Sequence, residues 1–262
     1  MFDFHIHSSV SFDSDTPASD IAQAAKQAGL REICFTDHWD YLPRPDDDHD
    51  LFSLEEYSRA YDGLHIDGLT IRRGVEIGLN EWNSNECKRL LSKRDFDFVI
   101  GSVHYADGYD PYDKKYWDNK SVEKAYMRYL EKVLECVKHH RDFDVLGHLT
   151  YVCKSPNNPF HAPLRYEECS DIADEIMRIL ICNGKGMEIN TSGVDRGVDF
   201  LPSFDYIRRF KELGGEIITV GSDSHDAVRV GQYCNEAMKM LKNIFGYVCT
   251  FEKRCPVFHK IN

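Results

Sequence analysis

FDFVIGSVH, residues 96–104, is an apolar run of strand length that ends on a histidine, and FDVLGHL, residues 143–149, repeats the arrangement around His148. Between them, Ser121–His139 reads as a strong helix. Strand, helix and strand in that order predict two parallel strands with a crossover helix between them. Working outward, the same alternation recurs. The strand candidates are 2–6, Glu32–Thr36, Leu69–Ile77, Gly186–Ile189 and Glu216–Val220, and helices are expected near 18–29, 83–93, 166–182, 203–213 and 227–243. About seven strand–helix repeats predict a mostly parallel α/β sheet, either closed into a barrel or open and doubly wound. There is no GxGxxG and no GxxxxGK followed by Ser or Thr, so the nucleotide-binding versions of the open sheet lose support.

The chain has 262 residues, 42% of them hydrophobic, enough for a sizeable core in one α/β unit of barrel size. No apolar run approaches the roughly 18 residues that span a bilayer, and the N-terminus MFDFHIHSSV lacks the basic and apolar regions of a signal peptide. A cytoplasmic location is therefore expected. A net charge of −12 argues against nucleic acid or an anionic membrane as the main partner. The same charge would repel a phosphate ester unless bound cations reversed it locally. The 9 cysteines are widely and irregularly spaced, with no CxxC, and read as reduced, mostly buried thiols. Asp46–Asp48 with Asp50 reads as a solvated acidic loop.

The ionisable residues collect at one end of these strands. His5 and His7 flank Ile6, and the i, i+2 spacing on a strand puts both imidazoles on one face. Asp37 and His38 follow the second strand, Glu76 closes the third in GVEIG, His104 follows the next and His148 the one after. Asp223 and His225 follow the last strand in GSDSH. In a closed barrel all these ends share one rim, where barrel enzymes keep their active sites. Any one of these residues alone could be an ordinary loop residue. Together, so many buried imidazoles and carboxylates would be costly unless cations neutralised them. Imidazole and carboxylate without thiolate suit zinc, manganese or iron, and eight or more ligands exceed the needs of one tetrahedral ion. More than one metal is expected. Two long connections, Tyr105–Lys120 and Tyr151–Arg165, leave the same rim and are expected to form lids or binding loops.

The set HxH at His5/His7, TDH at His38, GVEIG at Glu76, SVH at His104, GH at His148 and SDSH at Asp223/His225 resembles the PHP family, named for its polymerase and histidinol-phosphatase members. The resemblance runs over nearly the whole chain. It implies a distorted (β/α)7 TIM-like barrel as a single PHP-type metallohydrolase domain over residues 1–262. It also implies a trinuclear centre of divalent zinc, iron or manganese. One metal would take His5, His7, Glu76 and Asp223; a second would share Glu76 and take His104 and His148; a third would take His38 and His225, completed by Asp13. Within the family, the chain's length and the phrase EINTSG at Glu188–Gly193, followed by Arg196, resemble the stand-alone branch that hydrolyses L-histidinol phosphate in histidine biosynthesis. One departure is Thr150 in GHLT, where an acid is expected to support a metal-binding histidine.

The resulting expectation is a phosphomonoesterase in which a metal-bridging hydroxide attacks phosphorus, with Glu76, Asp223 and His225 in catalytic roles. Lys154, Arg165 and Arg196 are candidates to hold the phosphate of a small phosphorylated substrate. The alternatives are another small ester, such as a nucleotide or sugar phosphate, a barrel amidohydrolase, or a non-enzymatic metal-binding module.

Overall fold

The computed structural model describes residues 1–42 and 50–261. Its framework is a run of parallel strands: β1 (Phe2–Ile6), β2 (Glu32–Phe35), β4 (Thr70–Gly78), β5 (Phe98–Ser102), β6 (Val145–Leu146), β7 (Gly186–Asn190) and β8 (Ile218–Gly221), adjacent in that order. A two-residue strand, β3 (His38–Trp39), pairs with β4 above the end of β2, in register His38 with Glu76. No ladder joins β8 back to β1. The circuit is nearly closed instead by a parallel bridge between Ile6 and Ser224 and by backbone bonds from His7 N to Ser224 O and from Asp223 N to His5 O. The result is a distorted, TIM-like βα barrel whose seam tightens at its upper rim.

The helices lie in the crossovers: α1 (Ala18–Gln27), α2 (Leu54–Tyr61), α3 (Ser84–Leu91), α4 (Lys114–Trp117), α5 (Val122–His139), α6 (Ser170–Cys182), α7 (Phe204–Glu212) and α8 (Cys234–Ile244). They cover the outside of the sheet, which is why β1, β5 and β7 are buried along their whole length; β5 (FVIGS) reads as an apolar run, whereas β1 (FDFHI) and β7 (GMEIN) bury Asp3, His5, Glu188 and Asn190 among their apolar residues. None of the described helices is long and apolar enough to cross a membrane.

Several elements differ from the sequence reading. Helix α2 was not expected. Its start carries a capping box, Ser53 Oγ accepting from Glu56 N and Glu56 Oε2 accepting from Ser53 N at 3.0 Å. The helix expected from 227 begins only at Cys234. The Asp226 carboxylate accepts from Val228 N and Arg229 N at 2.8 and 3.0 Å, and Gly231 and Tyr233 take positive φ, which holds 227–233 as a loop. The helix expected over 166–182 is interrupted at Cys169, whose φ of −145° separates a short 3₁₀ turn from α6. Asp46–Asp48 lie outside the described residues, whereas Asp50 is buried, unlike the solvated loop expected there.

A final hairpin, β9 (Tyr247–Glu252) and β10 (Cys255–Lys260), was also unexpected. It lies across the lower end of the barrel. Phe251 packs on Phe98 with ring centroids 4.7 Å apart, His259 packs on Phe2 at 4.5 Å, and Arg254 Nε donates to Asp144 Oδ2. Its turn residues Lys253 and Arg254 both have positive φ, a conformation usually given to Asn or Gly. Here their backbone N–H groups bond to Asp97, 3.1 Å to Oδ1 and 2.8 Å to its carbonyl.

Candidate metal centre

At the upper rim the strand ends bring every expected metal-ligating residue into one cluster. His5 and His7 lie at and just past the end of β1, His38 in β3 and Glu76 in β4. His104 and His148 follow β5 and β6 by two residues, and Asp223 and His225 follow β8. Glu76 is at the centre and fully buried. Its Oε1 lies 2.9 Å from His148 Nε2 and 3.4 Å from His104 Nε2. Its Oε2 lies 3.2 Å from His5 Nε2, 3.5 Å from His7 Nε2 and 3.0 Å from His38 Nδ1. One carboxylate thus faces two groups of imidazoles, one with each oxygen. Asp223 Oδ1 adds to the second group, 3.4 Å from His7 Nε2. Asp13 Oδ2 lies 2.9 Å from His225 Nε2 and 3.5 Å from His38 Nε2, so the loop after β1 supplies a carboxylate to a further group.

These residues form groups whose ligand-type atoms lie within 4.8 Å of one another: His7, Asp13, His38 and His225; His5, Glu76 and His148; His5, His7 and Asp223; His38, Asp40 and His104. Nε2 of His5 and His7, Nδ1 of His38 and Oε2 of Glu76 are buried and have no hydrogen-bond partner among the described residues. Buried polar atoms left so are costly, and these four converge on a common space. A set of imidazole and carboxylate atoms with unspent lone pairs fits divalent cations of the zinc, manganese or iron kind.

The electrostatics agree. Burial would raise the Glu76 carboxyl, but His5, His38 and His104 hold it well below its ordinary range. Burial would lower His38, but Glu76 and Asp13 push it up to about 9. His7 is driven the other way, well below its usual value, by burial and by its neighbours His225 and His38. The cluster holds several carboxylates that stay charged only if positive charge stays beside them.

An outer layer fixes which nitrogen of each ring faces inward. Glu188 Oε1 accepts from His5 Nδ1 at 2.7 Å, and its Oε2 accepts from His148 N at 2.9 Å. Asp40 Oδ2 accepts from His104 Nδ1 at 2.6 Å. Ser11 Oγ donates to Asp37 Oδ1, so it accepts from His38 N at 2.9 Å and from His7 Nδ1 at 3.1 Å. The Asp223 carbonyl can only accept, so His225 Nδ1 donates to it at 3.0 Å. In each of these four rings Nδ1 carries a proton, which leaves Nε2 as the nitrogen that can meet a cation. His148 is the exception. Thr150 stands where an acid was expected, and no described neighbour substitutes for it, leaving His148 Nδ1 buried without a partner.

The close approach of β8 to β1 requires a glycine. A Cβ at Gly221 would run into His5 Cβ and Glu188 Oε1. Two residues on, Asp223 adopts φ +54°, which costs a non-glycine residue on the order of 1 kcal/mol but turns Asp223 and His225 back over the rim.

A cavity of about 420 Å³ opens above the cluster. Lys154 and Arg196, two of the three candidates to hold phosphate, line it. Lys154 Nζ is buried, pairs with Asp223 Oδ2 and donates to Ser192 Oγ at 3.0 Å. Arg165 is placed elsewhere: it is exposed, chelates Glu168 Oε1 through Nε and Nη2 at 3.0 and 2.6 Å, and borders a separate hollow beside Tyr126. Its expected contact with phosphate is corrected accordingly. Arg229, which the sequence reading placed in a helix, lines the cavity, held by Asp195 at 3.2 Å and Gln232 at 3.1 Å. Tyr112 and Tyr151 form an aromatic wall, their rings 5.5 Å apart and nearly parallel. The connection over 105–120 is tied down: Trp117 Nε1 donates to Pro111 O at 2.8 Å, Ser155 Oγ donates to the same oxygen, and Arg128 pairs with Asp107 at 2.6 Å.

Imidazole and carboxylate ligands gathered at the carboxyl ends of barrel strands, beneath a cavity with cationic walls, define a metallohydrolase type of site. The chain belongs to the PHP domain family, whose profile matches residues 3–192. It is 34% identical over 259 residues to the histidinol-phosphatase of Lactococcus lactis, covering 95% of this chain and 93% of that protein. A Clostridium acetobutylicum protein named "Probable histidinol-phosphatase" is 29% identical, with 97% and 98% covered. Among solved structures, the crystal structure of histidinol phosphate phosphatase from Lactococcus lactis, complexed with zinc, L-histidinol and phosphate, superposes with a TM-score of 0.87 at 30% identity, covering 98% of each chain.

Proposed function

We propose that this protein is a metal-dependent phosphomonoesterase that hydrolyses L-histidinol phosphate to L-histidinol and phosphate, in the cytoplasm, as a single catalytic domain. The observation that carries the reading is the position of Glu76, each of whose oxygens faces a different group of imidazoles. The relatives support the substrate: the similar Lactococcus lactis structure holds zinc, L-histidinol and phosphate.

Three cations fit the residues. His5, His7 and Asp223 with Glu76 would hold one, Glu76 with His104 and His148 a second, and Asp13, His38 and His225 a third. When bound, such cations make water nucleophilic near neutral pH and neutralise charge on phosphoryl oxygens. The remaining work falls to the chain. Lys154, Arg196 and Arg229 give the cavity a cationic side that counters the −12 net charge and orients a phosphate. Ser192 and Asp223 fix the Lys154 ammonium, so its position is set before substrate arrives. Tyr112 and Tyr151 wall the side next to His104 and His148 and exclude water there.

The test is phosphate release from a panel of esters by the purified, metal-loaded protein. L-histidinol phosphate is expected to exceed ribose 5-phosphate and adenosine monophosphate by about 100-fold or more in kcat/KM. Equal turnover of all three would reject the substrate, and turnover of amides but of no phosphate ester would reject the reaction class.

A further inference from the structure

The carboxylates lining the cavity differ in what they already hold. Asp13 faces His38 and His225, Asp40 holds His104, and Asp223 pairs with Lys154. Asp110 lines the same cavity, yet no Lys, Arg or His among the described residues forms an ion pair with it. Its partners are neutral. Oδ1 accepts from Tyr112 N at 2.7 Å and from the Tyr151 hydroxyl at 3.2 Å, and Oδ2 lies 3.3 Å from that same hydroxyl. One phenolic proton serves both oxygens, so Oδ2 keeps acceptor capacity to spare. The carboxylate is also held in place. Tyr151 packs on His148 with centroids 4.9 Å apart and on His104 at 5.3 Å, and Tyr112 stacks on Tyr151. Asp110 is therefore anchored through an aromatic wall to the imidazoles around Glu76.

A partly buried carboxylate whose hydrogen-bond donors are all neutral has little counter-charge at contact, and burial raises the Asp110 pKa against the Tyr112 N–H, the more distant His104 and the Tyr151 hydroxyl. A cation arriving in the cavity would supply what it lacks. Of the cavity's own cations, Lys154 pairs with Asp223 and Arg229 with Asp195, and among the described residues no ion pair joins Arg196 to Asp110. Resting on the phosphatase reading above, we infer that Asp110 is the specificity-determining residue that receives a protonated amine on the leaving alcohol of the phosphate ester. Phosphate and ammonium would then be recognised by opposite charges within one cavity, so an ester must carry both to bind well. Asp110 selects the substrate and takes no part in breaking the P–O bond.

The experiment compares L-histidinol phosphate with its des-amino counterpart, 3-(imidazol-4-yl)propyl phosphate, on the metal-loaded wild type and on D110N. The readout is the ratio of the two kcat/KM values for one preparation, from which the fraction of active protein cancels. The wild-type ratio is expected at about 100, the size of one charge-assisted hydrogen bond, and D110N should reduce it at least about tenfold. A D110N ratio equal to the wild type overturns the inference. So does a wild type indifferent to the amine, a result that needs no variant to fold. If L-histidinol phosphate proves no better than generic esters, the substrate reading fails by itself. Asp110 is then judged on O-phosphoethanolamine against ethyl phosphate: a wild-type preference for the amine that D110N loses upholds the inference, and no preference overturns it.

Discussion

His5 Nδ1 and Glu188 Oε1 lie 2.7 Å apart although 183 positions separate them in the chain. The bond joins β1 to β7, and it occupies Nδ1, so that His5 turns Nε2 towards Glu76. Glu188 also accepts from His148 N, so one carboxylate orients residues at two sides of the cluster. Glu188→Gln should lower zinc affinity about 10- to 100-fold, measured by titrating zinc into metal-free protein. Unaltered affinity would reduce Glu188 to a packing residue.

Glu76 is expected to matter more, because both of its oxygens face ligand groups. In Glu76→Ala the metal content by mass spectrometry should fall below that of the wild type, and turnover should fall about 10³-fold or more. Full metal content together with full phosphatase activity would end the case for a bridging role.

Metal loading should release protons. His38 is lowered by burial but raised further by Glu76 and Asp13, to about 9, so the metal-free protein keeps a proton there at neutral pH. A cation must displace that proton, and the competition fades as pH rises through about 9. Calorimetric zinc titrations at pH 7.5 in buffers of different ionisation heat should therefore show net proton release, and affinity should increase with pH over that range. No proton release at pH 7.5 would contradict this charge state.

Arg196 and Arg229 line the cavity, while Arg165 is chelated by Glu168 outside it. Arg196→Met and Arg229→Met should each raise KM about tenfold or more, with a smaller effect on kcat. Arg165→Ala should change KM less than about twofold, and a rise as large as that of the other two would restore Arg165 to the site.

Away from the site, Asp174 accepts from Arg209 at 2.7 and 3.0 Å, from Tyr166 at 2.7 Å and from Arg178 at 2.9 Å. The Arg209 bonds, with burial opposing and Tyr166 assisting, lower its pKa to about 2. A depressed carboxyl stabilises the fold above its unfolded value near 4 and stops doing so as pH falls through about 2. Since the arginines reach solvent, the contribution is about 1 kcal/mol. Asp174→Asn should cost about that much at pH 7 by urea unfolding and clearly less at pH 2, where the native carboxyl is half protonated; an equal loss at both would point to packing instead.

The sequence made the centre readable because its candidate ligands, Asp13 apart, sit at or just past strand ends, where the i, i+2 spacing marks His5/His7 and an apolar run leads into each of the others, as before Asp223/His225. The supporting residues were harder to see. Asp40 reaches His104 only because β3, two residues long, carries it across β4. Arg229 lay hidden in a stretch that looked helical, since nothing in its periodicity records the Asp226 carboxylate capping the loop. The hairpin turn at Lys253–Arg254 has no turn-forming dipeptide, because tertiary bonds to Asp97 hold it instead. Arg165 misled for the opposite reason: its neighbour Glu168 claims its guanidinium three residues away.

That same hairpin also bears on how the chain reaches its native form. It touches the amino-terminal beginnings of strands from both halves of the barrel, through Phe2, Asp97, Phe98 and Asp144. During synthesis it leaves the ribosome after every one of those strands. Until it docks, the ring has no floor, so a nascent polypeptide stopped short of residue 247 should expose its lower apolar layer to chaperones and be captured by them, even though all nine metal-ligating candidates have already been made.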